Sequence, residues 1–129
     1  MKIIKQNYLI DAPAKRVWHA LVDSDEIERW GGGKAQMNDQ EGSEFKLWGG
    51  EIHGTNTKVI ANKELSQDWY GGSKWGVASR VNFKLREKGE KTDLELIHEN
   101  IPDEDVEAIR EGWQKYYLGP MRAYLEKSS

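Results

Sequence analysis

Hydrophobic residues recur at intervals of three and four along residues 103–125, near the end of the chain. The large apolar positions of this segment are Val106, Ile109, Trp113, Tyr116, Tyr117, Met121, Tyr124 and Leu125. This spacing places them on one face of an α-helix about 35 Å long, which needs an equally broad surface to pack on. Pro120 has no amide hydrogen to donate, so Gly119-Pro120 predicts a kink or break in the helix. Such a bend would either follow a curved sheet or leave space beneath the helix.

Before this helix, apolar and polar residues alternate in the way that is typical of β-strands. Strands are predicted at residues 3–10, 44–48, 51–60, 65–70, 77–86 and 92–101. One face of the fifth strand carries Ser79, Val81, Phe83 and Leu85, and one face of the sixth carries Leu94, Leu96 and His98. Because successive side chains point to opposite faces of a strand, both sets are expected to face the core.

Two short helices are predicted between the first and second strands. The first covers residues 13–22 and begins with Pro13, while the second covers 25–30 and is capped by Ser24 or Asp25. Gly49-Gly50 predicts a two-residue hairpin turn between the second and third strands. The order of elements indicates an α+β fold in which a twisted antiparallel sheet wraps around the terminal helix.

Length and composition narrow the class of protein. A chain of 129 residues is expected to form one domain, residues 1–129, and the absence of cysteine rules out disulfides and thiolate metal sites. The three histidines fall on three different predicted elements without ligand-like spacing. No apolar run approaches the ~20 residues that span a bilayer, and the N-terminus lacks the features of a signal peptide. The net charge of -3 gives no general attraction to nucleic acid. We therefore expect a cytoplasmic protein with neither a membrane nor a nucleic acid as its partner.

Several short motifs distributed along the chain together resemble those of a known family. They are Ala12-Pro13, Val17-Trp18, Ala20-Leu21, Ile27, Trp30, Gly42, Phe45, Ile52-His53-Gly54, Leu65, Trp69, and the run from Thr92 through Ile101-Pro102 to Gly112-Trp113-Gln114-Lys115-Tyr116-Tyr117. With this order of elements, the chain resembles the helix-grip fold of the START and birch-pollen-allergen superfamily. Within that superfamily it is similar to the domain named for the C-terminal part of the activator of heat-shock-protein-90 ATPase.

The resemblance implies a cavity between the curved sheet and the C-terminal helix, in which relatives hold apolar or amphipathic molecules. It also implies heat-shock protein 90 as a candidate partner. Chaperone activators of this family have a separate N-terminal domain that makes much of the chaperone contact, whereas this chain begins directly with the second domain. The isolated chain is therefore expected to stimulate the chaperone ATPase weakly or not at all.

Motifs for catalysis and metal binding are incomplete. The run Gly31-Gly32-Gly33-Lys34 lacks the flanking residues of a phosphate-binding loop, since Glu28 and Ala35 stand where Gly and Ser or Thr are required. His98-Glu99 begins like a zinc-protease motif but has no second histidine one helical turn later. Ser79 and His98 could meet across adjacent strands, and we favour their being polar members of a core or cavity wall over a nucleophile and its base. No cofactor, metal ion or catalytic residue is expected.

The aromatic residues give a stronger indication of a binding site. Six Trp and five Tyr exceed the needs of a minimal core, and pockets tend to combine aromatic walls with a few polar groups. The predicted cavity residues are Trp30, Phe45, Trp75, Ser79, Phe83, Leu96, His98, Trp113, Tyr116, Tyr117 and Pro120. Ordinary packing together with exposed loop tryptophans remains the alternative explanation.

The leading hypothesis is non-catalytic binding of an apolar or aromatic small molecule between the sheet and the C-terminal helix. The alternative is an accessory protein that binds heat-shock protein 90 or another protein through a surface with Trp30, Trp48 or Trp75. A third possibility is a cyclase or hydrolase that works inside the cavity, as the resemblance to the superfamily implies. An open cavity would favour ligand binding or catalysis, and a filled one would favour the protein-binding role.

Overall fold

The structure, a computed structural model, describes residues 2–71 and 78–127. The strands are β1 (Lys2–Ile10), β2 (Glu44–Leu47), β3 (Ile52–Ile60), β4 (Glu64–Gly71), β5 (Ser79–Lys88) and β6 (Lys91–Ile101). The helices are α1 (Ala14–Val22), α2 (Ser24–Trp30), α3 (Val106–Gly112) and α4 (Leu118–Lys127), with a π-helical turn at Trp113–Tyr117 and 3-10 turns at Trp48–Gly50 and Asp103–Asp105. This is the predicted α+β architecture, with the predicted order of elements.

The strands form one antiparallel sheet in the order β1-β6-β5-β4-β3-β2, which curves around the C-terminal helical segment. The predicted inner faces of β5 and β6 are confirmed by the register of the two strands. Cross-strand partners are Val81 with His98, Phe83 with Leu96, and Leu85 with Leu94, and all six side chains are buried. The alternating pattern therefore supplies one apolar face, on which the helices pack.

Two local predictions are wrong. Asp23, rather than Ser24 or Asp25, caps α2, because its carboxylate accepts a hydrogen bond of 3.0 Å from the Glu26 amide. The β2–β3 connection is also longer than the two residues Gly49-Gly50, since a 3-10 turn at Trp48–Gly50 precedes β3. The amide of Trp48 donates to the Gly32 carbonyl, so tertiary contact holds this turn in a shape that a tight hairpin would not allow.

The C-terminal helical segment departs from the predicted regular helix. The Leu118 amide donates to the Trp113 carbonyl, five residues back, which defines a π-turn. Helical structure continues through Pro120 to Lys127, so the chain does not break at Gly119-Pro120, and the irregular turn lies just before these two residues. The wider turn also changes the phase of the apolar stripe, and Tyr116, which was expected on the buried face, is 64% exposed.

A buried carboxylate ties the helices together at one end of the core. Glu26 of α2 accepts hydrogen bonds from Arg16 (2.9 Å) and from the Tyr124 hydroxyl of α4, and it lies 3.1 Å from the His19 ring nitrogen. Burial by itself raises the pKa of Glu26, but the hydrogen bonds from Tyr124, Arg16 and His19 outweigh it and hold the pKa below its ordinary value. The charged carboxylate therefore joins α1, α2 and α4.

Two glycines of the C-terminal segment differ sharply in the space around them, and this predicts opposite effects of adding a methyl group. At Gly112 a Cβ atom would meet only the Tyr116 side chain, at 3.9 Å, whereas at Gly119 it would lie 1.8 Å from the Gln114 carbonyl oxygen. We expect Gly112→Ala to raise the free energy of unfolding by about 0.5–1 kcal/mol, because alanine is the better helix former. Gly119→Ala should lower it by about 1–3 kcal/mol, because the π-turn leaves no room for the methyl group.

Urea unfolding of the two variants beside the parent chain measures both changes. Since each variant adds the same methyl group within seven residues of the other, each serves as the control for the other. Equal effects of the two substitutions would show that the π-turn does not restrict Gly119.

Candidate functional site

An open groove of about 730 Å³ lies between the C-terminal helical segment and the inner side of the sheet near the β2–β3 connection. Its described lining consists of Trp48, Glu51, Ile52, Trp69, His98, Ala108, Ile109, Gly112, Trp113, Tyr116 and Tyr117. The lining is mainly apolar, and the volume falls in the range of small-molecule sites in proteins.

The helical wall of the groove follows from the irregular helix. Ala108 and Gly112 are small, so the middle of this wall lies back from the opposite side. The π-turn then directs Tyr116 outward at the rim while Trp113 and Tyr117 remain buried beneath it. Ala108 and Gly112 have little or no side chain, and the π-turn that follows them directs Tyr116 outward. A regular helix with larger side chains at these positions would fill the space that the groove occupies.

The opposite wall depends on a tryptophan held by the glycine run that follows α2. The Trp48 indole nitrogen donates to the Gly31 carbonyl at 3.1 Å, and a Cβ atom at Gly33 would lie 2.8 Å from the Trp48 Cα. The absence of a side chain at Gly33 therefore allows the 3-10 turn to approach the backbone of this segment closely. This gives the Gly31-Gly32-Gly33 segment a role in placing Trp48 at the groove.

Stacked aromatic rings form the floor. Trp69 from β4 and Trp113 from the π-turn stack with ring centroids 4.9 Å apart and an interplanar angle of 28°. Tyr117 packs on Trp113 at 4.8 Å and meets Trp48 edge-on at 6.0 Å. Because these rings come from β4, the π-turn and the 3-10 turn, their contacts hold the three elements together at the groove.

A chain of hydrogen bonds beneath this floor sets the tautomer of His98. The Trp113 indole nitrogen can only donate, and it lies 3.1 Å from His98 Nδ1, so Nδ1 is the unprotonated nitrogen. His98 Nε2 then carries the proton and donates to Ser79 Oγ at 2.8 Å, and Ser79 Oγ donates to the Trp69 carbonyl at 3.4 Å. Burial lowers the pKa of His98 to about 3, so the imidazole is neutral at pH 7. His98 is covered by Trp69 and Trp113 and has no exposed surface, although it borders the groove.

The hydroxyl of Tyr117 is a buried polar group without a hydrogen-bond partner among the described residues, as is the Asn82 side-chain oxygen on β5. The residue is 2% exposed, and its oxygen has no hydrogen-bond partner within residues 2–71 and 78–127. Burial raises the pKa of Tyr117, so the neutral hydroxyl is retained as a potential donor and acceptor. This oxygen is covered by the surrounding side chains and is not exposed to the open space of the groove, so its lack of a partner among the described residues is a cost in free energy within the core.

Among the described lining residues, one carries a charge. Glu51 follows the 3-10 turn and immediately precedes β3, is exposed, and makes no ion pair within the described part of the chain. The mouth of the groove therefore combines aromatic surfaces with a single carboxylate.

The structure brings four of the predicted cavity residues to the groove, namely His98, Trp113, Tyr116 and Tyr117. Five others are buried in the core outside its lining: Trp30, Phe45, Ser79, Phe83 and Leu96. Pro120 is half-buried on α4 and does not line the groove, and Trp75 lies outside the described residues. Ser79 nevertheless contributes indirectly, because it accepts the hydrogen bond from His98.

Sequence reasoning missed seven lining residues, Trp48, Glu51, Ile52, Trp69, Ala108, Ile109 and Gly112. Helical spacing could have identified part of this set, since Ile109 and Gly112 precede Trp113 and Tyr116 by four residues. Trp69 belongs to the motifs of the family resemblance, and Trp48 is predicted as a residue of a protein-binding surface. Nothing in the local pattern indicates that the β2–β3 connection approaches the helix.

Within residues 2–71 and 78–127, no group of three or more His, Asp and Glu side chains is arranged to hold a metal ion. The helices in the described ranges include none that is both long and apolar enough to cross a membrane.

Curated relatives of the chain include an uncharacterized protein from Schizosaccharomyces pombe, 26% identical over 121 residues, and proteins named as activators of 90 kDa heat shock protein ATPase. An activator of 90 kDa heat shock protein ATPase homolog from Dictyostelium discoideum is 29% identical over 96 residues, which are 72% of this chain and 25% of that protein. The chain spans between a quarter and about a third of the length of the curated relatives it matches.

Solved structures share the fold over nearly the whole chain. An HSP90 activator from Plasmodium falciparum superposes with a TM-score of 0.90 at 22% identity, and the match covers 98% of this chain and 97% of that one. CalU16 from Micromonospora echinospora superposes with a TM-score of 0.79 at 29% identity, and the match covers 98% of this chain and 74% of the CalU16 chain. The family model described as Activator of Hsp90 ATPase homolog 1-like protein matches residues 11–126. The chain therefore belongs to this family, and the helix-grip fold that the sequence predicts is confirmed.

Proposed function

We propose that the chain binds an apolar or aromatic small molecule in the groove between the sheet and the C-terminal helical segment, without catalysis. The observation that carries this proposal is an open space of about 730 Å³ whose lining is mainly aromatic and apolar, with Trp69 and Trp113 stacked in its floor. An apolar molecule in this space would remove aromatic surface from water, which is favourable at about 25 cal/mol per Å².

A second candidate is an accessory role in which the chain binds heat-shock protein 90. It is favoured by the names of relatives, among them the Dictyostelium and Plasmodium activators. The matched region is only a quarter to about a third of each curated relative, so most of each activator lies outside the similarity. The geometry of the groove supports the small-molecule role more directly.

Catalysis by Ser79 and His98 is the third candidate, and the direction of their hydrogen bond argues against it. A general base must accept the proton of the nucleophile, whereas His98 Nε2 donates to Ser79 Oγ. The other ring nitrogen is engaged by Trp113, and a pKa of about 3 makes the imidazole a weak base. The pair is better explained as a support for the aromatic floor.

A ligand screen tests the first proposal. Fatty acids, aromatic polyketides and sterols are added to the chain, and the melting temperature is followed by intrinsic fluorescence. A compound that binds only the folded chain stabilises it by about 2.7 kcal/mol at a hundred times its dissociation constant. For a chain of this length we expect a rise of several degrees with at least one class.

A groove-filling substitution makes this test specific to the site. Gly112→Phe should abolish the shift, because the added ring would enter the free space beside Tyr116. Glu107→Phe on the exposed side of the same helix is the matched control and should leave the shift unchanged. A ligand that raises the melting temperature of Gly112→Phe as much as that of the parent chain would contradict binding in the groove.

The protonation of His98 yields a prediction for stability against pH. Its folded-state pKa of about 3 lies below the ordinary value of 6.5, so only the unfolded chain takes up a proton as the pH falls below 6.5. The contribution of His98 to stability is therefore complete above pH 6.5 and is lost as the pH falls toward 3, at up to about 1.4 kcal/mol per pH unit.

Urea unfolding of the parent chain and of His98→Gln across this range isolates the contribution, because all other titrating groups are shared. The parent should lose stability more steeply than the variant, and nitrogen NMR should show the Nε2–H tautomer at pH 7. A His98 that titrates near pH 7 in the folded chain would instead revive the catalytic candidate.

The chaperone candidate is tested by the ATPase rate of heat-shock protein 90 with and without the chain at micromolar concentration. We expect at most weak stimulation, because the similarity covers a minor part of each curated activator. Strong stimulation of the ATPase by both the parent chain and the Gly112→Phe variant would make the accessory role the better-supported function. It would also show that this role does not depend on the groove.

A further inference from the structure

We infer that the groove selects apolar molecules that carry a positive charge, such as aromatic tertiary or quaternary amines, and that Glu51 is the residue that selects them. The inference rests on the proposed function and adds a chemical class to it. It is carried by the composition of the lining, in which aromatic faces surround one carboxylate.

The aromatic rings of the groove suit a weakly hydrated cation. The face of a Trp or Tyr ring is electronegative and attracts ammonium groups, most strongly where water is excluded. Trp48 is half-buried and Tyr116 is largely exposed at the rim, so both present ring surface to an entering molecule. Trp69 and Trp113 lie deeper and offer apolar contact for its uncharged body.

The charged residues near the groove also favour a cationic ligand. On the adjacent helix, Lys115 pairs with Glu111 at 3.6 Å and Arg110 pairs with Glu107 at 3.6 Å, so these cations are already compensated. Glu51 has no such partner within the described residues, and its carboxylate gives the mouth of the groove a negative field. An ammonium group placed there would exchange water for a carboxylate and aromatic faces.

The same arrangement disfavours anions. A ligand carboxylate would meet the electronegative ring faces and Glu51, and no lysine or arginine belongs to the described lining. His98 is the one basic group on this lining, and it is neutral at pH 7 and covered by Trp69 and Trp113. Fatty acids should therefore bind more weakly than neutral or cationic molecules of similar size.

The inference is tested with three ligands that share one naphthyl body and differ in the charge of the head group. They are trimethyl(naphthylmethyl)ammonium, naphthylmethanol and naphthylacetate, titrated against the chain by calorimetry at constant ionic strength. We expect the cation to bind about tenfold more tightly than the alcohol, and the anion more weakly than both. Glu51→Gln should weaken binding of the cation by about two- to fivefold, the range for an exposed ion pair, and leave binding of the alcohol unchanged.

Glu44→Gln is the matched control, because Glu44 is an exposed carboxylate of the neighbouring strand that does not line the groove. It should change none of the three affinities. Equal binding of cation and alcohol, with no effect of Glu51→Gln, would overturn the charge selection while leaving the proposed function in place. Failure of all three ligands to bind at millimolar concentration would overturn both.

Discussion

The stack of Trp113 on Trp69 is the contact on which the other features of the site depend. One ring belongs to the C-terminal helical segment and the other to β4, with centroids 4.9 Å apart, so the stack joins the helix to the sheet. Trp113 also donates to His98 beneath it and supports Tyr117 beside it. A single side chain thus sets the position of the helix, the tautomer of the buried histidine and the floor of the groove.

The π-turn is the geometric counterpart of this stack. It allows Trp113 and Tyr117 to remain buried while Tyr116 turns outward, and it brings the Gln114 carbonyl so close to Gly119 that a side chain cannot fit there. Such turns cost helical regularity and occur frequently at functional sites. In this chain the irregular turn and the small residues Ala108 and Gly112 leave the space that the groove occupies.

The family shares one architecture, and the two leading functional candidates concern different parts of it. The small-molecule proposal uses the inner face, where aromatic rings and one carboxylate surround an open space. The chaperone candidate is suggested by the names of relatives and does not require that space. Because Gly112→Phe fills the groove without changing the outer surface of the sheet, the two roles can be separated by one substitution.

The sequence by itself determined the order of elements, the inner faces of β5 and β6, and the membership of Trp113 and Tyr117 in the buried side of the helix, because alternation and helical spacing report burial within each element. Only the tertiary structure decided that Tyr116 points outward, since counting at helical spacing assumes a regular turn. It also decided that Trp48 and Glu51 reach the groove. Their placement depends on hydrogen bonds between the 3-10 turn and the glycine run after α2, and local periodicity carries no information about contacts between segments so distant in the chain.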